Sequence, residues 1–572
     1  VQGLSFNALE ILWDSSQWLR LLLTYLFLSL PFLFVANTIA LTMLRFDLQI
    51  ARIYSADLIG AGVGAIGIML LLTIFEPATV LKLLAFAGLS AGVVVLRYTR
   101  RQLAAAFSLA IVASGILLLP TSWLESRLSD YKGLVQTLRI EGARHLDSHS
   151  SPVSRIDVVE NRQVPFRNAP GLSLQSPVGP NEQLAVFSDG DAMMTIDRHA
   201  GQESPGYMGY MSSALPYQLG RQFERVAVLN AGTGAAARQA AAYGSGRIDA
   251  VEPDTQLTRL VSETYAGYSG WQQFAERIEL HNTTARAWAA RKKHSYDLVV
   301  MGVPGSSTGG AAGVYAFATD FDLTVEALES YYAMLEPGGF LVISLWTDTP
   351  PKGSLRLFAT IHAALEQSGV TQPERQLAWV RSWNTATLLV KRGELGNEEI
   401  SAIRDFSESR NFDLAWLPGL GEHDVNRYQL LPKPFFYMAA RAILSGQGAG
   451  FMENYQYDIE PVRDVNPYFD DHFRWRSLSA FLALPGGSGI AMIGAGYPTL
   501  IATLLQAILA AVVLILAPLL FLRRKLHTDG RLRSRVVIYF SVIGLAFLFI
   551  ELSFIEMLTL VFGQPLYAVA VT

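Results

Sequence analysis

Cysteine is absent from all 572 residues, which excludes disulfides, thiolate metal sites and cysteine nucleophiles and leaves the redox compartment unmarked. Charge is scarce as well. Only 16% of the residues are Asp, Glu, Lys or Arg against 51% hydrophobic ones, too greasy a balance for a chain soluble throughout, so a membrane part is expected. The net charge of -4 gives no polyanion-binding signature and excludes nucleic acid as the expected partner. No basic segment followed by a short apolar core opens the sequence as a signal peptide would, and no repeat or low-complexity tract interrupts it.

What is present in excess is apolar sequence at both ends. Leu21 to Leu44 is long enough to span a bilayer, with Trp13 and Trp18 ahead of it as interfacial residues. Further spans are expected at about Leu58–Phe75, Thr79–Leu96, Leu103–Leu119, Thr499–Leu522 and Val536–Phe562. The second carries Gly60, Gly62, Gly64 and Gly67, small residues suited to close helix packing, and Asn37 and Thr38 in the first suit interhelical hydrogen bonds. Glu551 and Glu556 lie inside the last run, where an ionised carboxylate is costly, and they are candidate functional intramembrane acids. The sequence starts at Val1 and stops at Thr572 inside the apolar LYAVAVT, so further membrane segments are expected beyond both ends.

The loops give an orientation. Arg45 and Arg52 follow the first span, Arg97, Arg100 and Arg101 the third, and Arg523, Arg524, Lys525, Arg531, Arg533 and Arg535 the fifth, all on one side. The loop after the second span, with Glu76 and Lys82, and the long block from Pro120 to Pro498 fall on the other side. The expectation is an integral protein of a bacterial inner membrane with its large domain extracytoplasmic.

That block is organised around Arg225 to Asp254, RVAVLNAGTGAAARQAAAYGSGRIDAVEPD. Val226–Leu229 reads as a buried strand, Asn230–Gly234 as a tight turn, a small-residue helix follows, and Ile248–Val251 makes a second buried strand ending at Glu252. Gly232 and Gly234 let backbone amides approach a ligand, Thr233 sits between them, and Glu252 is placed to accept from a ribose diol. The third glycine of the dinucleotide pattern is missing, which suits an S-adenosylmethionine-type nucleoside because a sulfonium ligand needs no pyrophosphate cradle. Strands at 277–281, 297–301 and 339–344, an antiparallel edge at 377–383 and 385–391, and helices at Thr255–Tyr268, Leu323–Leu335 and Leu355–Gln367 predict a mostly parallel sheet covered on both faces. Ahead of it, from Ser151 to about His199, RIDVV and QLAVFSD predict a small β-domain.

The expected architecture is thus an α/β Rossmann-like domain with a small β-domain, inserted between transmembrane helices. The boundaries are membrane helices to 120, a linker and small β-domain over 121–200, the Rossmann-like domain over 201–392, a helical, aromatic-rich segment over 393–498, and membrane helices from 499.

This order of parts resembles the spermidine synthase (polyamine aminopropyltransferase) family in its membrane-fused form with major-facilitator-like helices. The resemblance is carried by IYSADLIGAGVGA (Ile53–Ala65), NAGTG with AVEPD (Asn230–Asp254), LTVEALESYYAMLEPGGFLVI (Leu323–Ile343), DIEPVRDVNPYF (Asp458–Phe469) and FIELSFIEMLTLVFGQPLYAVAV (Phe549–Val571). It implies a methyltransferase-type fold, a decarboxylated S-adenosylmethionine donor, a polyamine acceptor, and aspartates that hold the amines and deprotonate the nucleophile.

Checked position by position, those aspartates are missing. The family's YD-strand-D-x-x-D pattern is here Tyr296-Asp297-Leu298-Val299-Val300 followed by Met301-Gly302-Val303-Pro304-Gly305, without either later carboxylate. The family's adenine-contacting Asp corresponds to Thr284, and its tyrosine-histidine-glutamate stretch is Tyr207-Met208-Gly209. Asp189-Gly190, the GTG turn and Glu252 survive. Loss of a general base removes roughly 10²- to 10⁴-fold in rate, so a non-catalytic binding or assembly subunit of a membrane complex is expected, with no catalytic residue assigned. Two rivals stand beside it: an aminopropyl- or methyltransferase using Asp189, Asp191, Asp320 or Asp322 as substitute acids, and a polyamine or small-cation transporter gated by Glu551 and Glu556.

Other groups read blandly. His472 after Asp470-Asp471 has no helix-spaced ligand partner, and His145 and His149 lie in the polar HLDSHS, so no metal site is expected. Gly305–Gly310 lacks the lysine of a phosphate-binding loop and reads as a loop at the carboxyl edge of the sheet. The aromatic residues from Tyr428 to Trp475 suit packing or an interface with protein partners.

Overall fold

The computed structural model describes all residues except 1, 5, 8–9, 12–13, 97–99, 125–126, 200, 202–204, 306–317, 480–495 and 514–529. Trp13, Arg97, Ser306–Gly310, Arg523, Arg524, Lys525 and the second half of the fifth expected span lie outside the described residues. The chain divides into two units, 1–129 with 149–155 and 499–572, and 130–148 with 156–498.

In the first unit four helices are long and apolar enough to cross a membrane: Ser16–Arg45, Asp47–Ile74, Pro77–Val94 and Ser534–Phe562. Gln102–Leu118 and Leu500–Ala511 are shorter apolar helices. Each carries its backbone hydrogen bonds internally, the condition for placing a peptide chain in hydrocarbon. Lys82, buried in Pro77–Val94, donates its ammonium to the carbonyl of Leu119, just past the end of Gln102–Leu118. That end carries unsatisfied carbonyls and partial negative charge, so a cation is stabilising there. Glu551 and Glu556 lie half-exposed on the last long helix. They are five residues apart, off the three- or four-residue spacing that shares a helix face.

The second unit is built on an eight-stranded sheet. Its strands are β5 (Arg225–Leu229), β6 (Arg247–Val251), β7 (Ile278–His281), β8 (Tyr296–Met301), β9 (Leu335–Trp346), β10 (Leu377–Arg381), β11 (Thr385–Lys391) and β12 (Asp413–Trp416), in the order β12-β10-β11-β9-β8-β5-β6-β7. β5 pairs in parallel with both β6 and β8, β6 with β7, and β8 with β9, while β9 to β12 pair antiparallel. The apolar runs of β5 and β8 are buried on both faces, as parallel strands between helical layers must be.

Alternation along the strands feeds two cores. Ala227, Leu229, Val299 and Ile343 pack against the helices Val325–Met334 and Gly353–Gln367, and Val226, Val228, Leu298 and Val342 pack on the opposite face. A separate four-stranded sheet, β1 (Ala143–Ser150), β2 (Arg155–Asn161), β3 (Gln183–Ser188) and β4 (Met193–Asp197), is ordered sequentially. Its Ile156, Val158, Leu184 and Val186 join the second of those cores, so the small sheet is continuous in packing with the large one.

Several sequence expectations are corrected. HLDSHS is strand β1 rather than a polar loop, and His145 Nε2 lies 2.9 Å from Asp157 Oδ1 on β2. The expected helix Thr255–Tyr268 breaks into Thr255–Arg259, a π-helical turn Leu260–Thr264 and a final turn Ala266–Ser269. The segment after 393 is not wholly helical, because Asp413–Trp416 adds an edge strand to β10. Four residues are too few to display a period, and pairing alone makes them a strand.

The stretch Asp458–His472 is pinned across the helical face of the first core. Arg356, buried in Gly353–Gln367, donates Nη1 to the carbonyls of Tyr468, Phe469 and Asp471 at 2.9, 2.8 and 2.6 Å, and Nη2 lies 2.7 Å from Asp458. Arg286 grips Asp464 with both terminal nitrogens at 3.0 and 2.7 Å. His472 is buried and donates Nδ1–H to Asp458 O at 2.9 Å, and burial with the nearby Arg356 charge holds its pKa down at about 3.

Candidate functional site

From β5 the chain winds through β6 and β7 to one side, then returns to place β8 on the other side of β5. The β5/β8 boundary is therefore the topological switch point, where the two following loops diverge and leave a crevice. A cavity of about 280 Å³ opens there. It is lined by Asn230, Gly232 and Thr233 after β5, Val300 and Gly302 to Gly305 at the end of β8, Glu252 after β6, Trp346 at the end of β9, and Met193, Met194 and Thr195 of β4.

The turn after β5 is built by left-handed backbone. Asn230, Gly232 and Gly234 have φ of 51°, 56° and 79°, conformations that glycine and asparagine adopt at least cost. Thr233 donates its hydroxyl to Thr195 O at 2.8 Å and so ties the turn to β4. On the far side, the backbone of Gly305 comes so close that an added Cβ would sit 3.0 Å from the carbonyl of Ala192. The loop after β8 thus closes against the β3–β4 turn because it has no side chain there.

Glu252 is buried, 6% exposed. Its Oε2 accepts the amide of Gly232 at 2.7 Å and its Oε1 the amide of Asp254 at 2.9 Å. Burial raises its pKa, the two amides oppose that, and the charges of Asp254 and Asp322 add to the rise. Each oxygen keeps a second lone pair, so the acid can still accept from a diol while it braces the turn.

The cavity is also lined by Asp197, Tyr207, Arg238, Gln239, Met208 and Ser213. Tyr207 donates its phenol to Asp197 Oδ2, and Gln183 Nε2 donates to Oδ1 at 2.8 Å. Gln239 Nε2 donates to Met208 O at 2.9 Å and takes the hydroxyl of Ser213 at the same distance. Met193, Met194, Met208 and Met211 give the rest of the wall a soft apolar surface that adapts to an irregular ligand.

Of the residues expected at a site, Gly232, Thr233 and Glu252 line the cavity, and Gly234 starts the helix Ala235–Ala242 just beneath it. Asp189 is exposed in the β3–β4 turn with φ of 51°, away from the lining, and its carbonyl accepts from Lys132. Thr284 caps the helix Ala285–Ala289 through Ala287 N at 3.2 Å, and Asp297 accepts the amides of Glu224 and Arg225. Both are structural here.

Asp320 and Asp322 stand beside the crevice. Asp322 Oδ2 accepts from Asn230 Nδ2 at 2.9 Å, Oδ1 from the Tyr331 hydroxyl at 3.1 Å, and its amide donates to Asp320 Oδ1 at 2.9 Å. Burial, and then the Asp322 charge, push the Asp320 pKa well up.

Arg238 and Asp197 were not singled out in the sequence, and Tyr207 entered only as the first residue of the stretch that stands for the family's tyrosine-histidine-glutamate. Arg238 left one signal, a lone cation in the alanine-rich helix after the GTG turn. Asp197 left none, because it reaches the cavity only through packing of the small sheet.

Elsewhere, Asp249, Glu279 and His281 bring three ligand-type atoms together on β6 and β7. Arg247 ion-pairs with Asp249 and Glu279, His281 Nε2 bonds Asp249 at 2.8 Å and Tyr296 donates to the same carboxylate, so these groups already partner one another.

No protein-family model matches the chain, and no curated protein sequence does. Among solved structures, it is similar to the spermidine synthase from Thermotoga maritima at 16% identity, covering 53% of this chain and 88% of that one with a TM-score of 0.32. It is also similar to a probable spermidine synthase from Corynebacterium glutamicum ATCC 13032 at 17% identity, covering 46% and 86% with a TM-score of 0.30. The strand order and the position of the crevice, rather than these matches, make the domain a doubly wound, Rossmann-like α/β fold.

Proposed function

We propose that this chain is a polytopic membrane protein whose Rossmann-like domain binds an adenosyl-type nucleoside without turning it over, as a binding or assembly module of a membrane complex. One observation carries the reading. The two carboxylates that line the cavity among the described residues, Glu252 and Asp197, both have their oxygens engaged by the protein itself. Each is fixed by donors of the protein, and the loop after β8, where the family resemblance puts the amine-activating aspartates, offers Gly302, Val303 and Pro304 to the cavity instead. Glu252 instead suits a ribose contact, and the apolar methionine wall suits a thioether or sulfonium chain. The arginine-rich short loops support a location of this domain on the extracytoplasmic side of a bacterial inner membrane, away from a cytosolic pool of adenosyl donor.

The test is equilibrium binding of S-adenosylhomocysteine to the full chain in nanodiscs, together with release of 5'-methylthioadenosine from decarboxylated S-adenosylmethionine and putrescine. Binding without release is expected. Steady release of the thioether product would overturn the reading.

The Asp320–Asp322 pair favours a second reading, a residual transferase, because Asp322 contacts Asn230 of the cavity wall. Release that disappears in Asp322→Asn would establish it.

A further inference from the structure

The cavity wall holds a buried cation with spare donors. Arg238 is 6% exposed, yet no carboxylate lies within ion-pair distance of it among the described residues. Its guanidinium makes one hydrogen bond, Nη1 to Asp197 O at 3.1 Å. Its Nε is sealed from solvent with no partner, and the residue lines the cavity. A buried guanidinium is costly unless an anion and acceptors meet it.

The neighbouring helix end sharpens the choice of anion. Arg238 lies in the first turns of Ala235–Ala242, whose N-terminus opens at the GTG turn and favours negative charge. Two amides of that turn are already spent, Gly232 N on Glu252 and Gly234 N on Ala231 O. A phosphate cradle of converging amides is therefore not on offer, whereas one planar fork of donors matches a carboxylate. The facing acid, Asp197, is held by Tyr207 and Gln183 and does not fill the role.

We infer that the Arg238 end of the cavity takes the carboxylate of an adenosyl amino acid, so the site selects S-adenosylmethionine or S-adenosylhomocysteine over their decarboxylated forms. This rests on the nucleoside reading above and adds the chemistry at the far end of the ligand. Glu252 holds the ribose end, Arg238 the amino-acid end, and the methionines the thioether between them.

The experiment is calorimetric titration of the full chain in nanodiscs with S-adenosylhomocysteine, its decarboxylated counterpart, 5'-methylthioadenosine and inorganic phosphate. A charge-assisted pair makes S-adenosylhomocysteine bind roughly tenfold to a hundredfold tighter than the decarboxylated form. In Arg238→Gln that ratio falls close to one, and because the ligand comparison is made on the wild type first, a variant that fails to fold does not remove the test. Equal or tighter binding of the decarboxylated form would overturn the inference, as would competition by phosphate as strong as that by the carboxylate ligand. Binding of 5'-methylthioadenosine with no carboxylate preference sinks the inference alone, and failure of every adenosyl compound sinks the nucleoside reading with it.

Discussion

Glu252 accepts the backbone amide of Gly232 at 2.7 Å, so the acid that would meet a ribose also holds the turn that would approach it. Its second oxygen fixes the amide of Asp254 at the start of the next helix. Binding and folding are therefore coupled at one side chain.

Glu252→Ala leaves two amides without their acceptor, each costing about 1–3 kcal/mol where water cannot replace it. The expected result is a lower Tm in addition to lost ligand affinity, measured by thermal unfolding with ligand absent. Glu252→Gln keeps one carbonyl acceptor and should fall between the two. An unchanged Tm in Glu252→Ala would show that the turn stands without its acid.

Asp320 carries a pKa raised above its ordinary value by burial and by Asp322, to about 7. The sign follows from linkage: a carboxyl whose folded pKa lies above its unfolded one contributes stability below the unfolded value, and that contribution is lost as pH rises through the folded one. Wild type should lose stability between about pH 4 and pH 7 from this group. Asp320→Asn keeps an acceptor for the Asp322 amide and should be more stable than wild type at pH 8, by on the order of 1 kcal/mol, with the difference gone near pH 4. Parallel denaturation curves across that range would exclude the assignment.

Arg356 fastens Asp458–His472 through three carbonyls and Asp458. Arg356→Met removes every one of those bonds while keeping much of the volume, and a loss of about 3–5 kcal/mol is expected. Limited proteolysis should then cut first between Asp458 and His472. Cleavage elsewhere, with that segment still protected, would assign the fastening to Arg286 and Asp464 instead.

The lack of cysteine makes topology directly measurable. Val465 is 87% exposed in the second unit and Leu48 is 96% exposed in the first turn of Asp47–Ile74, next to the end of the first long helix. With the large domain outside, a membrane-impermeant maleimide should label Val465→Cys in intact cells and leave Leu48→Cys unlabelled until lysis. The reverse pattern would put the domain in the cytosol.

Much of the fold was legible because its signals are local. The runs Val226–Leu229 and Asp297–Met301 read as buried strands of a mostly parallel sheet from sequence pattern, and Leu21–Leu44 reads as a membrane span from its length and apolar composition. The GTG turn and Glu252 were legible because backbone conformation and an acid about 20 residues on are fixed by spacing. Only the tertiary structure decided which side chains meet. It made a strand of Asp413–Trp416 by offering it the edge of β10, turned Asp189 away from the cavity, and brought Asp197 and Tyr207 beside Arg238. Sequence determines the local conformations, but the neighbours of a buried charge depend on packing between segments far apart in the chain, and no periodicity along one segment encodes them.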